Sequence, residues 1–244
     1  MPTALPPRSF INELLTRIEV QFKKHYRKEG RLDYVPLPSS KTCQTTSLIT
    51  GGLSVTKAIF YRIAHKLTIS DEKKVCVITP EEKGQEFIAG LLSTNLCADF
   101  SRGNGSWVQD GYLDLVGKRL GMIDKLALSI IETSSMAEVV GEIPENLDYL
   151  LVSGFPFQEP QEDLAVLSEL KNNVIAANTG NASVRRHQLE GLIDCFYEME
   201  EVAPHEYRLT VCEQKQKVSF ILKLNSSEQW IKQLQFNRQT YLST

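Results

Sequence analysis

The 244-residue sequence has no C-x-x-C pair, no closely spaced histidines, no excess of basic charge and no long apolar run. Its five cysteines, Cys43, Cys76, Cys97, Cys195 and Cys212, are odd in number and far apart. That pattern argues against a disulfide framework or a zinc site, and buried reduced thiols acting as small hydrophobes are expected instead. The four histidines, His25, His65, His187 and His205, stand alone, so no metal ligand set is expected. A net charge of −3 exerts no global pull on nucleic acid or anionic membrane; such binding would need a local basic patch. The opening "MPTALPPRSF" lacks the apolar stretch of a secretory leader, and no run of about 18 apolar residues occurs. A cytoplasmic protein without a membrane segment is the expectation.

What is present is ordinary globular chemistry, 42% hydrophobic and 23% charged, in a chain long enough for a sizeable core. After a proline-rich leader, "SFINELLTRIEVQFKKHYRK" repeats Phe10, Leu14, Ile18 and Phe22 at every fourth position, with Ser9 as N-cap. This predicts an amphipathic helix that buries its stripe on its own body or on a neighbour. A connector, "LDYVPLPSSKTCQ", follows. Then strand-like and helix-like runs alternate: "TSLIT", a helix over 57–67, "KKVCVIT", "EEKGQEFIAGLLSTNL", "QDGYLDLVGKRLGMID", "LALSII", "SSMAEVVGEI", "LDYLLVS", "QEDLAVLSELKNN" and "NVIAAN". The near-continuous apolar runs suit parallel strands buried on both faces. Three β-rich runs from 194 to 224 predict antiparallel pairing. Ser226 and Gln229 resemble a capping box for a last helix, "SSEQWIKQLQ". The division expected is a helix and connector over 1–45 and one α/β domain over 46–244, a mainly parallel sheet flanked by helices and extended by antiparallel strands.

"TSLITGGLSVTKA" has the layout of a phosphate-binding loop: strand, paired glycines, lysine, helix. In such a loop glycines let backbone N–H groups converge on phosphate, a lysine reaches the β and γ oxygens, and a Ser/Thr hydroxyl ligates Mg²⁺. Gly51, Gly52, Ser54 and Lys57 are the nucleotide-binding residues if the loop still binds. The alternative for Lys57 is a solvated lysine at a helix start.

The order of elements and "GGLSVTKA", "VCVITPEE", "NVIAANTGN" and "LTVCEQKQKVSFILKL" together resemble the C-terminal RecA-like motor domain of DnaB-type replicative helicases over roughly residues 9–224. The resemblance implies a RecA-like three-layer fold and a leading helix that docks on a neighbouring subunit. It also implies sites for ATP and Mg²⁺, and this sequence departs from most of them. Thr56 stands where the last loop glycine belongs, and Ala58 where the Mg²⁺-binding hydroxyl belongs. Ser153 stands where the fourth strand should end in an acid, since Asp148 lies at its other end. Glu81 falls on the water-activating glutamate, or is simply a first-turn glutamate. Asn178 or Thr179 replaces a sensor glutamine, and Lys215 falls near the arginine finger, where a point charge cannot fork two oxygens. Phosphoryl transfer depends on positioned metal and charge. The expectation is therefore a non-catalytic relative with relic positions Lys57, Glu81 and Lys215 and no required cofactor, ATP and Mg²⁺ entering only if the altered site still binds. Such a protein would serve as a scaffold or regulator in DNA replication or plasmid maintenance.

Of the two loops that line the channel in that family, "SGFPFQEPQED" is acidic. "NASVRRHQLEG" offers Arg185, Arg186 and His187 as phosphate contacts, or as an ordinary solvated loop. The partner expected is a protein, or a second copy, on the stripe of Phe10, Leu14, Ile18 and Phe22. The competing readings are an ATP-dependent DNA helicase or translocase with an unconventional site, and a nucleic-acid-binding module without turnover.

Overall fold

The computed structural model describes residues 6, 7, 10, 11, 45–80, 83–96, 112–157, 159–170, 173–178, 189, 191–213, 216–224 and 231–235. One sheet organises them. Its strands are β1 (Thr46–Thr50), β2 (Val75–Pro80), β3 (Leu128–Thr133), β4 (Tyr149–Ser153), β5 (Asn173–Ala177), β6 (Cys195–Ala203), β7 (Glu206–Glu213), β8 (Gln216–Leu224) and β9 (Ile231–Gln235). They lie in the order β3-β2-β4-β5-β1-β6-β7-β8-β9. From β3 to β6 every pairing is parallel, with Leu48 of β1 opposite both Ala176 and Phe196. The last three pairings are antiparallel. The chain leaves β1, passes over two strand positions to β2, steps out to β3, returns through β4 and β5, and crosses β1 to reach β6. In open sheets of this kind ligands bind beyond the carboxyl ends of the strands, where the winding reverses.

The parallel strands are apolar throughout because both sheet faces are covered. One face carries Ile49, Val77, Ile130, Leu151 and Ile175 under helices α1 (Leu53–His65), α2 (Gly84–Leu96) and α3 (Tyr112–Ile123). The opposite face carries Leu48, Ile78, Ile131, Val152 and Ala176, joined by Leu164 and Leu167 of α4 (Pro160–Glu169). These make three layers, helix–sheet–helix, with antiparallel strands at one end, the RecA-like arrangement. Phe10 and Ile11 are buried in the first of these cores. A side chain at Gly84 would run into the Phe10 ring.

The contact between α1 and α2 depends on a missing side chain. Gly90 lies under the Tyr61 ring, and a Cβ there would overlap it. With Gly90 bare, the rings of Phe60, Tyr61 and Phe87 meet edge-on or tilted, with centroids 5.9–6.2 Å apart. That is the separation at which aromatic pairs attract.

Three sequence-based expectations need correction. The segment within "SSEQWIKQLQ" is not helical over 231–235: it is β9, paired antiparallel with β8. Apolar Ile231 and Leu234 are spaced as on a helix, but five residues fix no period, and the open edge of β8 decides in favour of the strand. "SSMAEVVGEI" forms two short 3₁₀ turns, Met136–Glu138 and Val140–Glu142, rather than a helix. The helix expected over 57–67 begins four residues earlier, at Leu53, and runs on as a π turn over Lys66–Ser70.

Candidate functional site

The early start of α1 changes the loop after β1. Thr50 ends the strand, Gly51 turns, Gly52 is the N-cap with φ −61°, and the helix has begun by Leu53. Thr56 N–H donates to Gly52 O at 3.0 Å, an ordinary rung of the helix. Val55 and Thr56 are β-branched, with no strong helix preference. They are helical here because both are buried: Val55 is 1% exposed and Thr56 0%. Thr56 Oγ1 finds no hydrogen-bond partner among the described residues. Ala58, also buried, adds to the same core. Thus Val55, Thr56 and Ala58 are drawn into the helix by core packing, and Lys57 emerges in its second turn.

Lys57 does not point into open solvent. Its Nζ donates to Glu86 Oε1 at 2.6 Å, and Lys83 Nζ donates to Glu86 Oε2 at 3.1 Å. Glu86 sits in the first turn of α2, where the helix dipole favours an anion. Burial pushes its pKa up, but the two ammonium groups outweigh that and hold it below the usual carboxylate range. With side chains 31% and 34% exposed, Lys57 and Glu86 form a half-buried pair. The cluster lines a cavity of about 120 Å³ with Tyr61, Thr79, Pro80, Phe87, Ser153 and Gly154. Burial, and then the Glu86 charge, raise the Tyr61 phenol well above its ordinary range, so it stays protonated. The cavity lies at the carboxyl ends of β2 and β4, on the rim where the topology places ligands.

Ser153 lines the same cavity as Lys57. Asp148 stays at the opposite end of β4, where its Oδ2 accepts from Lys74 N–H at 2.8 Å. A carboxylate does close the end of β3: Glu132 Oε1 accepts from Gly84 N–H at 2.5 Å and so caps α2. Asn178 follows β5, its N–H donating to Ile49 O at 2.9 Å. In the loop after β4 Phe155 is fully buried, and in the first turn of α4 Asp163 is 4% exposed, accepting from Phe157 N–H at 2.6 Å. That carboxylate is turned inward as a structural cap. Glu81, Thr179, Arg185, Arg186, His187, Lys215, Leu14, Ile18 and Phe22 lie outside the described residues. Phe10 is described, and it packs on this chain's own domain.

Neither Glu86 nor Lys83 stands out in the sequence. Their i,i+3 spacing marks them as neighbours on a helix, but the link to Lys57 spans 29 residues and exists only after α1 and α2 pack together. Cys76, Cys195 and Cys212 are buried thiols outside any disulfide, and burial raises the thiols of Cys76 and Cys195 to about 11 and 12. Among the described residues no group of three His, Cys, Asp or Glu side chains converges. No described helix is long and apolar enough to cross a membrane.

No protein-family model matches the chain, and no curated protein sequence matches it. Solved structures do. One described as an ATPase domain is similar with a TM-score of 0.56 at 12% identity, covering 79% of this chain and 85% of that one. A second, described as a DnaB-like replicative helicase and its interactions with primase, has a TM-score of 0.56 at 13% identity. It covers 77% of this chain, which spans 58% of its length. At these identities the likeness is one of fold, and it agrees with the strand order and the three layers. The chain has the RecA-like fold found in the ATPase domains of DnaB-type helicases.

Proposed function

We propose that this chain is a non-catalytic RecA-fold protein, a scaffold or regulator in DNA replication or plasmid maintenance. The observation that carries this reading is the ion pair between Lys57 and Glu86: the lysine that would grip phosphate is held at 2.6 Å by the chain's own carboxylate. Around it, Ala58 offers no hydroxyl to a metal, Ser153 offers no carboxylate, and Glu132 is engaged with the Gly84 N–H. The turn that should wrap the phosphate is helix from Leu53 onward. Without positioned metal and charge, phosphoryl transfer loses nearly all its catalysis. Titration calorimetry with ATP, with and without Mg²⁺, should show no binding, and a phosphate-release assay should show no turnover. Mg²⁺-dependent hydrolysis that disappears in Lys57→Ala would overturn the reading in favour of an ATP-driven helicase or translocase. A salt-dependent DNA affinity lowered by replacing Arg185 and Arg186 would instead make the chain a nucleic-acid-binding module.

The scaffold role needs a contact surface, and we place it on Leu14, Ile18 and Phe22, which follow Phe10 at every fourth position in the sequence, the spacing of one helical stripe. Phe10 itself is satisfied within the domain. Replacing Leu14, Ile18 and Phe22 by serine should lower the mass seen in light scattering if the chain self-associates, or abolish capture of a protein partner if it does not. An unchanged mass together with unchanged partner capture would remove this surface from consideration.

A further inference from the structure

We propose that Glu86 is the built-in anion of the Lys57 cavity and decides which ligands that cavity admits. This rests on the reading of the chain as a protein without nucleotide turnover. Each carboxylate oxygen of Glu86 carries one ammonium group, Lys57 on Oε1 at 2.6 Å and Lys83 on Oε2 at 3.1 Å. That is the arrangement two lysines adopt on adjacent oxygens of a tetrahedral oxyanion, with charge-assisted bonds to both. The carboxylate also sits in the first turn of α2, where a helix N-terminus favours negative charge. Glu86 thus occupies the place of an external anion in charge, in contacts and in position along a helix. The cavity it lines together with Thr79, Ser153 and Tyr61 is about 120 Å³. That is smaller than the clefts of roughly 300–1,000 Å³ that take drug-sized ligands, and it suits a small oxyanion such as inorganic phosphate. While Glu86 is ionised, its charge repels that anion and its oxygens hold both lysines. Removing the charge leaves the two ammonium groups of Lys57 and Lys83 facing the cavity, which is an anion site.

The test is titration calorimetry with inorganic phosphate at neutral pH and low salt on four forms of the chain. Glu86→Gln keeps the side chain's shape and should gain at least about tenfold in phosphate affinity over the native chain. Glu86→Asp, one methylene too short to hold both lysines, should show an intermediate gain and serves as the second variant if the glutamine form folds poorly. Adding Lys57→Ala to Glu86→Gln should abolish the gain. Native affinity equal to that of Glu86→Gln overturns the proposal. So does the lack of any gain in the folded variants, or a gain that survives Lys57→Ala. ATP turnover by the native chain would overturn the functional reading itself; no turnover and no gain would overturn only the role given to Glu86.

Discussion

Gly51→Ala is expected to destabilise the protein by about 2–4 kcal/mol, whereas Gly52→Ser one residue later is expected to be neutral or slightly stabilising. The two glycines look equivalent in the sequence, and a phosphate loop would use both. In the structure they do different things. Gly51 has φ +152°, a region that side chains rarely enter. A Cβ built on it meets Met199 Cβ at 2.8 Å and the Met199 carbonyl oxygen at 3.1 Å. The second of these is backbone of β6, paired directly with β1 and unable to swing aside. Gly52 has the extended conformation of an N-cap, and the nearest atom to its would-be Cβ is Val55 Cγ1 at 3.9 Å. No side chain caps α1 now, and serine at an N-cap gains a few tenths of a kcal/mol over glycine. Urea denaturation followed by circular dichroism measures both. A Gly51→Ala chain within about 0.5 kcal/mol of native would show that the β1–α1 turn adapts and that its geometry is not set by β6.

Acid should weaken the fold in a window set by His65. Burial, followed by the charges of Arg62 beside it and Arg119 of α3, holds its pKa down at about 4. The unfolded value is about 6.5, so the fold prefers the neutral ring. Above pH 6.5 the ring is neutral in both states and stability is full. As pH falls from 6.5 toward 4 the unfolded chain takes up the proton first, and stability is lost; below 4 the loss is complete. The shift sets an upper bound of about 3 kcal/mol, and roughly 1–2 kcal/mol remains after allowing for the ring's partial solvent access. Glu86 acts in a lower window, because its stabilisation is lost only as pH falls below the usual carboxylate range and through its depressed pKa. Urea midpoints measured from about pH 7.5 down to about pH 4.5 should fall for the native chain and fall less steeply for His65→Gln. Parallel curves would mean that neither burial nor the two arginines depress the His65 pKa, so that the ring takes up its proton in the fold as it does in the unfolded chain.

Much of the sheet could be read directly. "KKVCVIT", "LALSII" and "NVIAAN" are apolar without alternation because β2, β3 and β5 are covered on both faces. That pattern survives in any parallel sheet. The pattern for residues 231–235 does not decide between helix and strand, and local capping signals pointed the wrong way. Pairing with β8, a contact remote from those signals, overrode them. The loop after β1 misled for a related reason. Paired glycines followed by Ser54, Val55 and Thr56 look like loop chemistry, yet Val55 and Thr56 have a core to enter, and entering it makes them helix.

By itself, the sequence determined the alternation of buried strands with helices, the antiparallel run from β6 to β8, and the lack of a hydroxyl at Ala58 and of a carboxylate at Ser153. These are properties of periodicity and side-chain chemistry, which need no partner to be read. Only the tertiary structure decided where Lys57 spends its charge. Lys57 and Glu86 are 29 positions apart, and they meet because α1 and α2 pack over the same sheet face with Gly90 bare beneath Tyr61. An ion pair of that kind follows from helix packing, and no spacing rule within one element encodes it.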